Sequence, residues 1–367
     1  MKILELCLSS GLGGLELYFI DTSMYLTKSG YQCVPVVNSD SKLEARLKNH
    51  NVNLVSIKRR SRYFPILNAL RLARLIDSTG IDVIHMHWAK DLALAVLIKI
   101  FSRIRPRLIY TRHMEIYGSK KDWYHRFVYR HVDLMLTVTD RMAGQARTSL
   151  PLLQERIQTL HLGIPEYVGR REDDSAEVRG KYGIPPDAFL IGMAGRIEPG
   201  KRQHVLIEAC ESLAAKCPDM YCMIIGGVFD AEYANKIKLS VNQGPLKHRV
   251  IFTGFFDNPK QAMAAFDVAV LATYCETFGL VLVEAMSTGT AVIGTRAGGV
   301  PEIIDDGVTG LMFEPDNSAD LAEKILILYQ DQELRSRLAN AGQQLVAERF
   351  DENRHWNSLL AYLKSSG

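Results

Sequence analysis

Short apolar runs alternate along the chain with longer stretches in which apolar residues recur at helical spacing. Such runs are typical of buried strands, and the stretches between them are typical of amphipathic helices. The pattern predicts seven strands in the first part of the chain and six in the second. They are expected at residues 2–8, 32–37, 52–57, 83–87, 107–111, 134–138 and 157–160, then at 189–194, 220–225, 250–253, 268–271, 291–294 and 310–313.

The alternation of strands and helices also indicates the domain organisation. It favours parallel sheets with crossover helices. It is interrupted once, by the polar stretch 163–181, which is predicted to be a linker. A chain of 367 residues suits two domains. We therefore expect an α/β protein with two Rossmann-like, doubly wound domains at 1–165 and 180–350, followed by a last helix at 351–364.

The composition indicates a globular protein without a membrane span. Charged residues make up 23% of the chain and hydrophobic residues 47%. No apolar run reaches the roughly 18 residues that a span needs. The N-terminus is interpreted as a strand, not as a signal peptide. Six scattered cysteines without a C-x-x-C pair favour a reduced, cytoplasmic protein.

The net charge of +3 combines a basic first half with an acidic second half. Residues 1–165 carry +11 and residues 166–367 carry −8. The basic half is predicted to lie on an anionic membrane surface, because such a surface attracts cations and aromatic rings sit well at headgroup depth. A solvated face is the alternative, and no nucleic-acid motif is found. The cations concentrate at 58–62, at Arg103, Arg105 and Arg107, and at Lys120, Lys121, Arg126 and Arg130, interleaved with Tyr63, Phe64, Trp123, Tyr124 and Phe127.

A glycine-rich turn, G-L-G-G-L-E at residues 11–16, follows the first strand. Glycines let a ligand approach the backbone, and the following helix offers free N–H groups to an anion. A dinucleotide fingerprint needs a third glycine at position 16, where the chain has Glu16, so a nicotinamide cofactor is disfavoured. A tight turn without a ligand is the alternative.

A second turn, G-R-I-E-P-G-K at residues 195–201, joins a predicted strand to a helix. Its Arg196 and Lys201 can converge on one anion, because arginine offers a fork of donors and lysine a point charge. A diphosphate leaving group needs such neutralisation as its bond to a sugar breaks. Two unrelated surface cations are the alternative.

The segment T-Y-C-E-T-F-G-L-V-L-V-E-A at residues 273–285 also joins a strand to a helix. The amides of residues 277–280 are expected at the helix N-terminus, where they suit phosphate or sugar oxygens. Glu276 and Glu284 would lie about 12 Å apart along an ideal helix axis. The two catalytic carboxyl groups of glycosidases lie closer together, roughly 5–9.5 Å apart. Glu276 and Glu284 are therefore interpreted as binding the two ends of one long ligand. A surface-facing Glu284 is the alternative.

Histidines and one more glycine turn complete the candidate chemistry. His113 follows a predicted strand and can either donate to a sugar hydroxyl or offer its carbonyl to developing positive charge. His85 and His87 share one strand face, but zinc needs further ligands that the sequence does not identify. A structural or acceptor-side role is therefore predicted for this pair, and no metal is expected. The turn A-G-G-V-P-E at residues 297–302 either lets the backbone come close to a ligand or is a turn that binds no ligand.

Together these residues resemble the family 4 retaining glycosyltransferases, which have the GT-B fold. The resemblance covers both halves of the chain and nearly all of the second. Its specific part is the E-x7-E element at Glu276 and Glu284 together with Arg196 and Lys201. One departure is Arg202, which stands where many relatives have Gly. The acceptor side, residues 1–165, shows no specific match.

The resemblance implies two domains that face a central cleft, with residues 351–367 packing back onto the first domain. Glu284 resembles the acid that holds the ribose, Glu276 the group that grips the donor sugar, and Arg196 with Lys201 the diphosphate clamp. The implied catalytic residues are His113, Arg196, Lys201 and Glu276. The implied donor-binding residues are Gly13, Gly14, Gly254, Thr277, Phe278, Gly279, Leu280 and Glu284, and the acceptor-side candidates are Glu16 and His87.

The function implied is transfer of a sugar, with retention, from a UDP- or GDP-sugar to a hydroxyl of a glycan or lipid-linked acceptor. No cofactor or metal is expected. Lipopolysaccharide or other surface polysaccharide biosynthesis, at the cytoplasmic face of the inner membrane, is the expected setting. A nucleotide-sugar epimerase of the same fold and a non-catalytic nucleotide- or glycan-binding protein remain as alternatives.

Overall fold

The computed structural model describes residues 1–50, 52–58 and 65–365. It divides into two compact units. Unit 1 comprises Met1–His161 and Trp356–Gly367, and unit 2 comprises Leu162–His355. Each unit has its own sheet and its own hydrophobic core.

Unit 1 contains a seven-stranded parallel sheet with helices between successive strands. Its strands are β1 (Lys2–Cys7), β2 (Gln32–Asn38), β3 (Val55–Ile57), β4 (Val83–Met86), β5 (Arg107–Arg112), β6 (Leu134–Thr137) and β7 (Ile157–Thr159). Its helices are α1 (Gly14–Lys28), α2 (Lys42–Asn49), α3 (Ile66–Thr79), α4 (Leu92–Phe101), α5 (Trp123–Tyr129) and α6 (Asp140–Ser149). The strand order is β3-β2-β1-β4-β5-β6-β7.

Both faces of this sheet are covered, which explains its nearly continuous apolar strands. Successive residues of β1 point to opposite faces. Leu4 and Leu6 belong to the larger core cluster, whereas Cys7 packs in a smaller cluster with Phe19 of α1. Glu5 is therefore on the same face as Cys7, and its side chain is completely buried.

Unit 2 contains a six-stranded parallel sheet, again with crossover helices. Its strands are β8 (Phe189–Ala194), β9 (Met220–Ile225), β10 (Val250–Gly254), β11 (Val268–Leu271), β12 (Ala291–Thr295) and β13 (Leu311–Phe313), in the order β10-β9-β8-β11-β12-β13. Its helices are α7 (Arg171–Tyr182), α8 (Gln203–Leu213), α9 (Ala231–Gln243), α10 (Pro259–Ala264), α11 (Leu280–Ser287), α12 (Ser318–Gln330) and α13 (Gln332–Arg349). The last helix, α14 (Glu352–Lys364), begins in unit 2 and continues in unit 1.

The direction of strand addition reverses once in each sheet. In unit 1 it reverses between β1 and β4, and in unit 2 between β8 and β11. Open α/β sheets bind ligands beyond the carboxyl ends of the strands at such a switch point. The topology thus marks two places where functional side chains are expected to gather, one in each unit.

The α/β class and the two doubly wound domains predicted from the sequence are confirmed, and each of the thirteen predicted strands is present. One local prediction is wrong, because the supposed linker at 163–181 contains α7. Three acidic residues in its first turn and a left-handed Gly183 after its last residue favour this helix. The Arg171 guanidinium also donates to the carbonyls of Ala264 and Phe266, which ties the helix to unit 2.

The basic and aromatic segment predicted at residues 58–64 is described only at Lys58; the rest lies outside the described residues. Among the residues that the structure describes, no helix is both long enough and apolar enough to traverse a bilayer.

Candidate functional site

The switch point of unit 2 gathers three of the four residues predicted to be catalytic. Arg196 follows β8, Glu276 lies in the loop between β11 and α11, and Lys201 ends a short 3-10 turn before α8. These positions are at the carboxyl ends of two neighbouring strands. The sheet topology therefore brings together residues that are 75 positions apart in sequence.

Lys201 and Glu276 form an ion pair at this edge of the sheet. The Lys201 Nζ lies 2.8 Å from Glu276 Oε2, and the two side chains are 22% and 24% exposed. The Lys201 chain passes over Gly195, whose φ of +152° places it in a region that favours glycine. The pair is thus partly shielded yet accessible, with a cationic and an anionic group side by side.

Arg196 is paired with a different acid. Its guanidinium contacts Glu198 at 2.9 Å and lies 4.5 Å from the ring centroid of Phe229. Its carbonyl accepts a hydrogen bond from the Gln203 side chain, which fixes the backbone. The side chain is 54% exposed. Since the structure gives each cation its own carboxylate, their convergence on one anion remains a prediction.

The loop before α11 presents backbone groups rather than side chains. Gly279 caps α11 with φ +106°, a left-handed conformation that glycine adopts readily. Phe278 is buried and packs edge-on against Phe350, with ring centroids 5.7 Å apart. The amides of Thr277 to Leu280 lie at the start of the helix, where N–H groups lack intrahelical partners. This arrangement suits phosphate or sugar oxygens.

Glu284 lies on α11 and is partly buried, so the surface-facing alternative is not what the structure shows. Burial raises the pKa of its carboxyl to about 7, and the opposing charge of Lys260 only partly offsets this. The Lys260 ammonium donates to the carbonyl of Pro165 at 2.5 Å. A partly buried carboxyl such as that of Glu284 would gain from ligand hydroxyls that donate hydrogen bonds to it.

The glycine turn at 297–302 has a role that the sequence did not indicate. A Cβ on Gly298, which has φ +63°, would lie 2.1 Å from the carbonyl oxygen of Glu276. The Gly299 amide donates to that same oxygen at 2.7 Å. The glycine pair therefore holds the backbone of Glu276, in addition to any contact that it makes with a ligand.

Arg202, the one departure from the family pattern, adopts φ +59°. Glycine adopts this left-handed conformation readily, whereas another residue adopts it only at a cost. The Arg202 Nε lies 2.7 Å from Asp316 Oδ1, and the guanidinium lies 5.8 Å from the ring centroid of Tyr274. This side chain thus links the turn after β8 to the loop after β11.

Gly254, predicted to bind the donor, ends the edge strand β10 with φ +72°. Its carbonyl accepts a hydrogen bond from the Gly226 amide at 2.9 Å. A Cβ on Gly226 would lie 1.9 Å from the carbonyl oxygen of Gly195. Glycines therefore let the ends of β8, β9 and β10 approach closely.

In unit 1 the turn after β1 is held by Glu16. Its Oε2 accepts a hydrogen bond from the Gly13 amide at 2.8 Å, and its Oε1 accepts one from the Ser9 hydroxyl. The side chain is buried. Glu16 caps α1 and orders the turn that carries Gly13 and Gly14, and its acceptor-side role remains a prediction.

His87, the other acceptor-side candidate, lies inside the core of unit 1. It contacts the buried carboxylate of Glu5, which also contacts His85. Its other ring nitrogen lies 3.5 Å from Nε2 of the half-buried His113. The sequence missed Glu5 because it stands within an apolar strand. The structure thus supplies a third potential ligand atom beside His85 and His87, all within 4.8 Å of one another.

Two family models match the chain. The model described as Glycosyltransferase Family 4 matches residues 12–166, and the model described as Glycosyl transferases group 1 matches residues 174–345. The first match lies almost entirely in unit 1 and ends five residues beyond the boundary, and the second lies within unit 2.

Individual proteins are similar as well. N-acetyl-alpha-D-glucosaminyl L-malate synthase of Bacillus anthracis is 27% identical, over 77% of this chain and 74% of that protein. Lipopolysaccharide core biosynthesis glycosyltransferase LpsE of Rhizobium meliloti is 32% identical, over 51% of this chain and 53% of LpsE. The crystal structure of Anabaena Alr3699/HepE in complex with UDP and glucose is 24% identical, covers 100% of both chains and has a TM-score of 0.83.

Proposed function

The chain belongs to the family 4 glycosyltransferases, and from that premise we propose that it is a retaining enzyme that uses a nucleoside diphosphate sugar. The sugar passes to a hydroxyl of a glycan or lipid-linked acceptor. The Lys201–Glu276 pair carries this proposal, because it places a cation for a diphosphate beside a carboxylate for sugar hydroxyls.

Three groups of unit 2 suit different parts of such a donor. Glu284 on α11 suits the ribose hydroxyls, since its carboxyl is held in a partly buried position. The helix N-terminus at Thr277 to Leu280 and the cations Lys201 and Arg196 suit the diphosphate. Glu276 suits the donor sugar. No cofactor is needed for this chemistry, and these cations and amides would take the place of a metal.

Retention is proposed to proceed on the front face of the sugar. The bond between the anomeric carbon and the diphosphate oxygen breaks, and the acceptor oxygen bonds to the same face of that carbon. The acceptor's proton passes to the departing phosphate oxygen. Glu276 is engaged by Lys201, so it is assigned to holding the sugar hydroxyls and not to attacking the anomeric carbon.

The acceptor is proposed from the charge of unit 1 and from one relative. LpsE is named as a lipopolysaccharide core biosynthesis enzyme. Exposed aromatic and basic side chains of unit 1, such as Trp123 and Lys121, suit an anionic membrane that carries a lipid-linked acceptor. We assign the enzyme to surface glycan synthesis at the cytoplasmic face of a membrane.

Thermal unfolding with UDP-, GDP- and ADP-sugars tests the donor proposal. A donor at 100 times its dissociation constant adds about 2.7 kcal/mol of stability. One donor class is expected to raise the midpoint of the wild-type protein and to lose most of this effect in Lys201→Ala. The control is Lys324→Ala, a similarly exposed lysine paired with Asp320 on α12. If no donor raises the midpoint, or if Lys201→Ala responds like wild type, the proposed site is wrong.

Proton NMR of the slow reaction with water tests retention without knowledge of the acceptor. From an α-linked donor, the sugar that is released first is expected to be the α anomer, observed before it equilibrates. A β anomer would contradict retention. Accumulation of an epimerised nucleotide sugar would favour the epimerase alternative instead.

A further inference from the structure

Two residues with an unfavourable backbone conformation are paired with each other next to Lys201. Among the described residues, four that are not glycine have positive φ, namely Asp40, Arg105, Arg202 and Asp316. Arg202 (φ +59°) directly follows Lys201, and Asp316 (φ +58°) lies in the loop between β13 and α12. A left-handed conformation is costly for a residue with a side chain, and it persists only where the surrounding contacts fix it.

The Arg202 guanidinium is held by contacts to all three of its nitrogens. Nε lies 2.7 Å from Asp316 Oδ1, and Nη2 donates to Asp316 Oδ2 at 3.3 Å. Nη1 donates to the carbonyl of Pro199 at 3.2 Å. Two-point contact with a carboxylate restricts the rotation of both groups. The direction in which this guanidinium points is therefore fixed.

Stability alone does not account for this pair. The Arg202 and Asp316 side chains are 29% and 41% exposed. A partly exposed ion pair contributes little to the free energy of unfolding, less than a left-handed arginine costs. Left-handed residues that are kept in spite of their cost are concentrated at functional sites. We therefore looked for the group that the guanidinium serves.

The turn that carries Arg202 contacts the loop after β11 at two places. The Lys201 ammonium lies 2.8 Å from the Glu276 carboxylate. The Arg202 guanidinium lies 5.8 Å from the ring centroid of Tyr274, within the range of a cation–π contact. Two adjacent cations thus contact two residues of one loop. Since Tyr274 is 56% exposed, the protein interior does little to fix this part of the loop.

We propose that Arg202 is a positioning residue that holds the loop between β11 and α11 through Tyr274 and so keeps Glu276 in place for the donor sugar. Asp316 orients the guanidinium for this contact. The inference rests on the proposed function, in which Glu276 holds the sugar hydroxyls. Neither Arg202 nor Asp316 touches the donor.

A contact that serves only stability is the rival explanation. It predicts that loss of the Arg202 side chain lowers the unfolding midpoint and leaves ligand binding unchanged. The positioning role predicts the reverse for Arg202→Gly. Glycine adopts the left-handed conformation readily, so the variant is expected to fold, whereas the loop loses the group that holds it.

Calorimetric binding of a nucleoside diphosphate and of its sugar conjugate separates the two explanations. The probes are UDP with UDP-glucose, and GDP with GDP-mannose. For the pair that the wild type binds, Arg202→Gly is expected to weaken the nucleotide sugar at least fivefold and the nucleoside diphosphate less than twofold. Its unfolding midpoint is expected not to fall. Equal weakening of both ligands, or a lower midpoint with unchanged affinities, would overturn the proposal.

Asp40→Gly is the matched control, because Asp40 has φ +62° and lies in unit 1. This variant also replaces a left-handed residue by glycine, and it is expected to leave both affinities unchanged. Weakening of the nucleotide sugar in Asp40→Gly as large as in Arg202→Gly would show that the effect is not specific to Arg202.

The role of the Tyr274 ring is tested by two substitutions. Tyr274→Leu removes the ring and is expected to weaken the nucleotide sugar as Arg202→Gly does. Tyr274→Phe keeps a ring for the cation and is expected to restore the affinity. If Tyr274→Leu binds the nucleotide sugar like wild type, Arg202 does not act through Tyr274.

A double variant tests the part played by Asp316. Asp316→Asn removes the charge but keeps a residue that tolerates the left-handed conformation. Because Arg202→Gly and Asp316→Asn disrupt the same contact, the double variant is expected to bind the nucleotide sugar no more weakly than Arg202→Gly alone. Additive losses would contradict a shared role.

The exposed thiol of Cys275, between Tyr274 and Glu276, reports on the loop without any donor. Its rate of alkylation by iodoacetamide, followed by peptide mass spectrometry, is expected to rise at least threefold in both Arg202→Gly and Asp316→Asn. Loss of a cation disfavours the reactive thiolate and loss of an anion favours it. A rise in both variants therefore shows a loosened loop, and any other pattern contradicts the proposal.

The two proposals fail in different ways. If the wild type neither binds nor turns over a nucleotide sugar, the proposed function fails, while the Cys275 rates still decide whether Arg202 holds the loop. If turnover by the wild type is normal and Arg202→Gly binds the nucleotide sugar equally well, only the positioning role of Arg202 fails.

Discussion

Gly298 holds the backbone of Glu276 in place, and it can do so only because it has no side chain. Its backbone lies so close to Glu276 that no Cβ fits, and the next amide holds the Glu276 carbonyl. The glycine turn itself was recognisable in the sequence. Its partner was not, because the contact joins segments that follow different strands.

Gly298→Ala is predicted to lower both stability and donor affinity. The left-handed conformation costs a non-glycine residue on the order of 1–3 kcal/mol, and here the new Cβ must also displace the Glu276 backbone. Urea unfolding and the donor KM measure the two effects. Gly307→Ala is the matched control, because Gly307 has φ +75° with no atom within 4 Å of a Cβ.

Gly307→Ala is expected to lose stability by the conformational cost alone, about 1 kcal/mol, with an unchanged KM. If both alanine variants behave alike, Gly298 does not support Glu276.

The elements were largely predictable, and their mutual contacts were not. Buried parallel strands are runs of four to six apolar residues, so β8, β9 and β11 could be bounded to the residue. Helix α7 was missed because its polarity suggested a linker. The ion pair of Lys201 with Glu276, and the pairing of Glu5 with His85, depend on strand order and register, which local patterns do not contain.

Helix α11 places Glu284 where burial raises the pKa of its carboxyl to about 7. The folded state therefore binds a proton more tightly than the unfolded chain does. The contribution of this proton to the free energy of unfolding is fully present below the ordinary pKa of a glutamate, and it is lost as the pH rises through about 7. Wild-type unfolding free energy is predicted to fall by about 2 kcal/mol between pH 5 and pH 8 relative to Glu284→Gln.

Urea unfolding at four pH values across this range measures the slope. Glu323→Gln, which changes a glutamate of α12 that is 67% exposed, is expected to keep the wild-type slope. A Glu284→Gln variant with the wild-type slope would show that Glu284 does not titrate in this range.

At the scale of the whole molecule, charge is divided between the two halves of the sequence. Unit 1 carries an excess of basic residues and also exposes Trp123, which is 78% exposed, and Tyr117, which is 77% exposed. In the same unit, the Arg130 guanidinium lies 4.8 Å from the ring centroid of Phe127. Cations and rings on one surface suit lipid headgroups.

The protein is predicted to sediment with anionic vesicles at low salt and to dissociate as salt rises, because screening weakens surface attraction. Lys121→Glu should reduce this binding about tenfold or more, since each basic group contributes on the order of 1 kcal/mol. Lys247→Glu, an exposed lysine of unit 2, is the control and should bind like wild type. Equal binding to neutral vesicles, or no binding at low salt, would rule out the membrane proposal.

The central claim is that the Lys201–Glu276 pair acts on a nucleoside diphosphate sugar, and steady-state turnover of the donor tests it most directly. Release of nucleoside diphosphate is measured for wild type, Lys201→Ala, Glu276→Gln and the control Lys324→Ala. Loss of one stabilising group at the reacting centre costs about 100-fold or more in kcat, so that loss is predicted for both site variants, with near wild-type turnover for the control. Wild-type turnover by folded Lys201→Ala and Glu276→Gln would contradict the claim.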